Sequence, residues 1–200
     1  MIKYMYPNMP RFIDPSTLGD YGHGYVAEVK KNGWRCLAWM KTTGWEGGDF
    51  KRELELWTRR KTIIPFPLPL TRAELNKLPP DTMLDGELLE RRTKDVKDHY
   101  YIFDILFLKG ASCMHLPYRV RRAMLENTVR EYGINCELAN PVQVGLPELY
   151  KQAVANGDEG IVLKEINSKY MVDLNSCPHN PHWFKAKRAE RCFVNQKEKR

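Results

Sequence analysis

The stretch Glu28-Val29-Lys30-Lys31-Asn32-Gly33-Trp34-Arg35 is the most informative in the chain. Read as a strand, it sends alternate residues to one face, so Glu28, Lys30 and Asn32 point one way and Lys31 the other. Gly33 then allows either a tight turn or a close approach of the backbone to a ligand. A lysine placed between an acidic group and an arginine suits attack on a phosphate. Positive charge on Arg35 and Lys31 disfavours its ammonium form and leaves more free amine. Taken alone, an edge strand decorated with charges explains the same residues.

Working outward, short alternating or apolar runs bounded by Gly, Pro and Asn dominate, which predicts a largely antiparallel β architecture. The expected strands are Tyr25–Lys30, Arg35–Lys41, Glu53–Thr58, Met83–Glu90, Tyr100–Leu108, Gly160–Lys164 and His182–Lys187. Gly44–Gly48 and the charged run Arg91–Asp98 read as hairpin connections. Pro65, Pro67 and Pro69 predict an extended, non-helical connection. Two helices are expected. Pro117 to Tyr132 puts Val120, Met124, Leu125 and Val129 on one stripe and stops at Gly133, and a shorter helix runs from Pro147 to Ala155. The fold class is therefore α+β: curved antiparallel sheets flanked by helices, with a nucleotide cleft between the sheets.

Polar residues recur on these strands where they need partners. Met83-Leu84-Asp85-Gly86-Glu87 puts two carboxylates on one face of an otherwise apolar strand, suited to a sugar hydroxyl and a divalent cation. Tyr101-Ile102-Phe103-Asp104 offers a ring able to stack on a base beside a buried Asp104, although a core strand with a structural carboxylate accounts for it equally. Glu159 opens Gly160-Ile161-Val162-Leu163-Lys164, a carboxylate at the strand mouth and a cation at its far end. Trp183-Phe184-Lys185-Ala186-Lys187 sets two lysines on one face, suited to phosphates.

Composition narrows the class. The chain has 200 residues, 42% hydrophobic and 28% charged, as expected of one soluble domain with a sizeable core. No apolar run approaches the roughly 20 residues of a membrane helix, and the N-terminus lacks a secretory core, so neither membrane insertion nor export is expected. Cys36, Cys113, Cys136, Cys177 and Cys192 are scattered without a C-x-x-C pair, which argues for cytosolic thiols over a disulfide framework or zinc ribbon. Cys177, His179 and His182 lack a second ligand pair at finger spacing. A formal net charge of +7 favours a polyanionic partner, nucleic acid or an anionic membrane surface. Much of the excess lies at the C-terminal end, including Arg191, Lys197, Lys199 and Arg200.

In order, these motifs resemble the covalent nucleotidyltransferases: ATP-dependent DNA ligases, RNA ligases and mRNA capping enzymes. Lys30 to Arg35 resembles the family's Lys-x-Asp-Gly-x-Arg nucleophile motif except at Asn32, and Thr58-Arg59 occupies the place of its short Ser-Arg element. Asp85-Gly86-Glu87, Phe103-Asp104, Glu159 to Lys164 and Trp183 to Lys187 resemble the later motifs. Glu-Gly-Ile-Val-Leu-Lys at Glu159–Lys164 and Tyr118-Arg119-Val120-Arg121-Arg122 give the resemblance a DNA-ligase flavour. It implies that Lys30 attacks the α-phosphorus of ATP, that Glu28 reads the adenine amino group and that Phe103 stacks on the ring. It further implies that Arg35 and Glu87 hold the ribose, that Glu159 with Glu87 places magnesium, and that Lys164, Lys185 and Lys187 neutralise phosphate charge.

The implied substrate is nicked double-stranded DNA, sealed by a monomer acting in the cytoplasm or wherever its DNA lies, in replication, repair or recombination. RNA ligation, capping-type guanylyl transfer, or a catalytically weak nucleic-acid-binding relative are the alternatives. Asn32 in place of the family aspartate removes a negative charge and supports the last of these. The expected organisation is an adenylation domain over 1–188 and a basic tail over 189–200. The family's OB-fold domain is not expected within these residues, so the expectation is a fragment, a minimal protein whose basic tail substitutes in part, or a separate OB-fold or DNA-binding partner.

Overall fold

The structure is a computed structural model that describes residues 4–47, 49–89 and 98–188. The strands in chain order are β1 (Tyr6–Pro7), β2 (Met9–Phe12), β3 (Tyr25–Lys30), β4 (Trp34–Glu46), β5 (Asp49–Thr58), β6 (Thr82–Leu88), β7 (Tyr100–Leu108), β8 (Ala111–Ser112), β9 (Glu137–Leu138), β10 (Gly160–Glu165), β11 (Val172–Asp173) and β12 (His179–Lys187). The helices are α1 (Pro69–Leu75), α2 (Tyr118–Glu131) and α3 (Leu146–Ala155). One sheet runs β5-β4-β6-β7-β8 with β9 beside β7, and a second runs β2-β12-β10-β3. Neighbours are antiparallel except β2–β12 and β7–β9. This is the α+β architecture expected.

Period-two alternation divides the strands between two environments. On β4, Cys36, Ala38 and Met40 enter an outer core with Leu56, Leu84, Ile102, Leu75 and Leu125, which α1 and α2 cover. Leu37 and Trp39 on the same strand face inward and pack with Val26, Tyr170 and Trp183 between the sheets. The second sheet turns Ala27, Ile161, Leu163 and Ala186 outward against α3. The opposite faces of both sheets are left to enclose the cleft.

Several elements depart from the expected boundaries. β4 runs through Gly44 and Trp45 to Glu46, because each hairpin arm can pair with the other almost to the turn at Gly47. Pro69 begins α1 instead of extending the connection, since proline's fixed φ and missing N–H suit a first helical turn. α2 turns Tyr118, Arg121, Leu125 and Thr128 inward, so Val120 is exposed and Met124 and Val129 only flank the core. The stripe is rotated because Arg121 is claimed by a buried partner. The run Arg91–Asp98 lies outside the described residues except for Asp98, as does the basic stretch 189–200. Among the described residues no helix is long and apolar enough to cross a membrane.

That partner is Asp104. Arg121 donates from Nε and Nη2 to its two carboxylate oxygens at 2.8 and 2.9 Å, and from Nη1 to the Leu116 and Ser168 carbonyls. Both side chains are fully buried, so the pair ties α2 to β7 and to the loop before β11 without water. Removing one partner of such a pair leaves an uncompensated buried charge. Arg121→Met is therefore expected to lose about 3–5 kcal/mol in urea unfolding. Lys109→Ala, at an exposed pair with Glu131, is expected to leave the midpoint unchanged.

Candidate active site

The inner faces of the two sheets enclose a cavity of about 700 Å³, lined by Glu28, Lys30, Arg35, Glu87, Phe103, Glu159, Lys164, Lys185 and Lys187 among others. All nine site residues named from the sequence thus meet in one place. β3 and β10 pair with Val162 opposite Glu28 and Gly160 opposite Lys30, and β12 places Lys187 opposite Gly160. That register brings three strands' worth of charge onto one wall.

Lys30 meets Glu159, with Nζ 2.7 Å from its carboxylate, and Lys187 reaches the same oxygen at 3.0 Å. Burial alone raises the Glu159 pKa, yet the hydrogen bonds and charge of Lys30 and Lys187 hold it below the ordinary carboxylate range. Arg35 does not bear on Lys30 as expected. Its guanidinium is clamped on Asp85 at 2.6 and 2.5 Å, and Tyr170 donates to the same carboxylate at 2.5 Å. Lys31 turns away toward Asp158, 3.5 Å off. The charged group that touches Lys30 is Glu159.

β3 stops at Lys30 and the chain bends at Gly33, so strand alternation does not extend to Asn32. Asn32 is not part of the cavity wall. Gly33 serves close approach: an added Cβ would lie 2.4 Å from the Leu88 carbonyl and 2.9 Å from the Glu87 Cγ. Its N–H donates to Glu87 at 3.0 Å. Burial pushes the Glu87 carboxyl above its usual range, against the pull of Lys30, Arg35 and this N–H.

The far end of the cavity is drier. Glu28 is buried and held twice, by the Lys164 ammonium at 2.8 Å and the Tyr118 hydroxyl at 2.5 Å. Lys164, itself buried, also donates to the Phe103 carbonyl at 3.1 Å and spends its charge on Glu28. Phe103 sits at a shift in the β6–β7 register, where Asp85 faces Asp104 and Gly86 faces Ile102. Such a bulge re-aims a side chain. The Phe103 ring turns into the cavity with the Arg35 guanidinium 4.6 Å from its centroid. Arg59 and Arg60, beyond β5, line the mouth.

Tyr118 and Tyr170 were not legible as partners of Glu28 and Asp85, since each lies more than 80 residues away in sequence. Asn8 was missed as well. It is buried in the cavity wall, and among the described residues neither amide atom has a hydrogen-bond partner.

The family model described as "ATP dependent DNA ligase domain" matches residues 53–187, more than half of the chain. The chain belongs to this family. A curated relative, DNA ligase of Methanocorpusculum labreanum, is 28% identical over 140 residues, covering 58% of this chain and 26% of the relative. The chain thus spans about a quarter of that relative's length. A mycobacterial DNA ligase D solved with ATP superposes with a TM-score of 0.69 at 18% identity, over 93% of this chain and 62% of that one. The Chlorella virus DNA ligase-adenylate gives 0.64 at 17% identity, over 92% and 69%. These structures share the fold, a ligase nucleotidyltransferase domain.

Two outcomes follow from this geometry. Gly33→Ala, forced against Leu88 and Glu87, is expected to cost about 1–3 kcal/mol in thermal or urea unfolding. Because folding depresses the Glu159 pKa, its contribution is fully present above the unfolded value near ~4.3 and fades as pH falls through the lower folded value. Glu159→Gln should therefore be less stable than the wild type at neutral pH. The gap should close in acid, read as unfolding midpoints across a pH series.

Proposed function

We propose that this chain transfers AMP from ATP to its own Lys30 and passes it on to seal nicks in duplex DNA. One observation carries the reading: the Lys30 amine, 2.7 Å from the Glu159 carboxylate, shares a cavity with Lys185 and Lys187, the Phe103 ring and the buried Glu28. The Lys30 Nζ attacks the α-phosphorus, the bond to pyrophosphate breaks, and the amine loses a proton as the phosphoramidate forms. Glu159 holds the amine in line. Lys185 and Lys187 meet the phosphate charge, which is most of what phosphoryl transfer asks of a protein.

Phe103 stacks on the adenine, and Glu28 accepts from its amino group, aimed by Lys164 and Tyr118. Arg35 and Glu87 face the ribose. The AMP then moves to the 5′-phosphate of a nick, and the 3′-hydroxyl displaces it. Family membership supports ATP as the nucleotide.

Glu87 and Glu159 suit magnesium, which needs only one or two carboxylates beside substrate phosphates. Bound there, it would draw charge from the phosphate oxygens.

Intact mass spectrometry of the full chain after incubation with ATP and magnesium tests the reading. The wild type gains the mass of AMP, Lys30→Ala gains nothing, and GTP does not substitute. A gain that persists in Lys30→Ala would sink the assignment, and a gain with GTP would favour capping-type transfer.

A further inference from the structure

Phe12 ends β2 and is 70% exposed, an unfavourable place for a large aromatic ring unless one of its faces is used. β2 runs parallel to β12 with Phe12 in register with Lys185, and the Ile13 N–H donates to the Lys185 carbonyl at 3.2 Å. The Lys185 Nζ lies 3.9 Å from the Phe12 ring centroid, well inside cation–π range. Lys185 is buried, and among the described residues no carboxylate forms an ion pair with it.

Its other charged neighbours work mostly against it. Burial, then Lys30 from β3, Lys187 from β12 and Arg59 from the turn after β5, all lower the Lys185 pKa, and only Glu159 opposes them. Glu159 is already shared between Lys30 and Lys187.

Building on the nucleotide reading above, we propose that Phe12 is a positioning residue for Lys185. Its π-face holds the ammonium charged and aimed along the cavity wall until a phosphate takes its place as counter-charge. Phe12 touches neither nucleotide nor reacting atoms. It acts through the lysine.

The test follows lysyl-AMP formation by the full chain, with ATP and magnesium, across the neutral-to-alkaline range. Phe12→Leu keeps an apolar side chain but removes the π-face, whereas Phe12→Trp keeps it. Phe12→Leu is expected to slow adenylylation about two- to five-fold. It should also move the alkaline fall of the profile to lower pH, because the lysine loses its proton sooner. Phe12→Trp should track the wild type, and the exposed ring should leave unfolding midpoints alike in all three.

A Phe12→Leu profile identical to the wild type would overturn the inference and leave the nucleotide reading standing. Equal losses in both variants would also overturn it, by reducing Phe12 to packing. A wild type that forms no lysyl-AMP at any pH would instead remove the nucleotide reading, and the inference with it.

Discussion

Charge taken out of water has to be matched, and the inner faces of both sheets are organised by that requirement. Alternation along β3, β6, β10 and β12 turns Glu28, Asp85, Glu87, Lys164, Lys185 and Lys187 inward whenever the apolar residues turn outward. Glu28 is then answered by Lys164 and Tyr118, Asp85 by Arg35 and Tyr170, and Asp104 by Arg121. The pairs Glu28–Lys164 and Asp85–Arg35 each lie within one sheet, and Tyr118, Tyr170 and Arg121 bring in segments distant in sequence. The sheets meet through the core around Leu37, Tyr170 and Trp183 and the Lys164 bond to the Phe103 carbonyl. What the pairing leaves over is instructive. On the wall around Lys30, Glu159 pairs with both Lys30 and Lys187 while Lys185 stands nearby, an excess of positive charge that an anionic ligand can complement.

The same constraint separates groups that bind from groups that support. Arg35 and Lys164 sit in the cavity wall, but their charges are committed to Asp85 and Glu28. They shape the end of the cavity around Phe103 and orient the Glu28 carboxylate. Lys185 lines the cleft with its ammonium over Phe12, and Lys187 lines it paired with Glu159. A motif read as a row of charges therefore becomes, in three dimensions, a set of specific pairs and contacts.

Much of this was legible in the sequence where the physics is local. β3 and β7 begin and end where alternation and flanking residues place them, and α2 ends at Glu131, just before Gly133, whose φ is +58°. Legibility failed where a distant partner decides. Arg121 rotates α2 because Asp104 waits on β7, and Val120 is left exposed as a result. Pro69 begins a helix where a run of prolines suggested only an extended link. β3 ends at Lys30 and Gly33 packs closely on Leu88, so alternation counted past Lys30 does not fix the side of Asn32. Tyr118 and Tyr170 carry no local mark of their roles, since their carboxylates arrive from other elements.

The central claim is that one of several clustered lysines is the nucleophile: Lys30, at the end of β3 and 2.7 Å from Glu159. Tandem mass spectrometry of peptides from the ATP-treated protein, digested under conditions that spare the phosphoramidate, addresses it directly. The account predicts AMP on Lys30 alone. AMP on Lys31, Lys185 or Lys187 would contradict it, because the Lys30–Glu159 contact would then not mark the reacting amine.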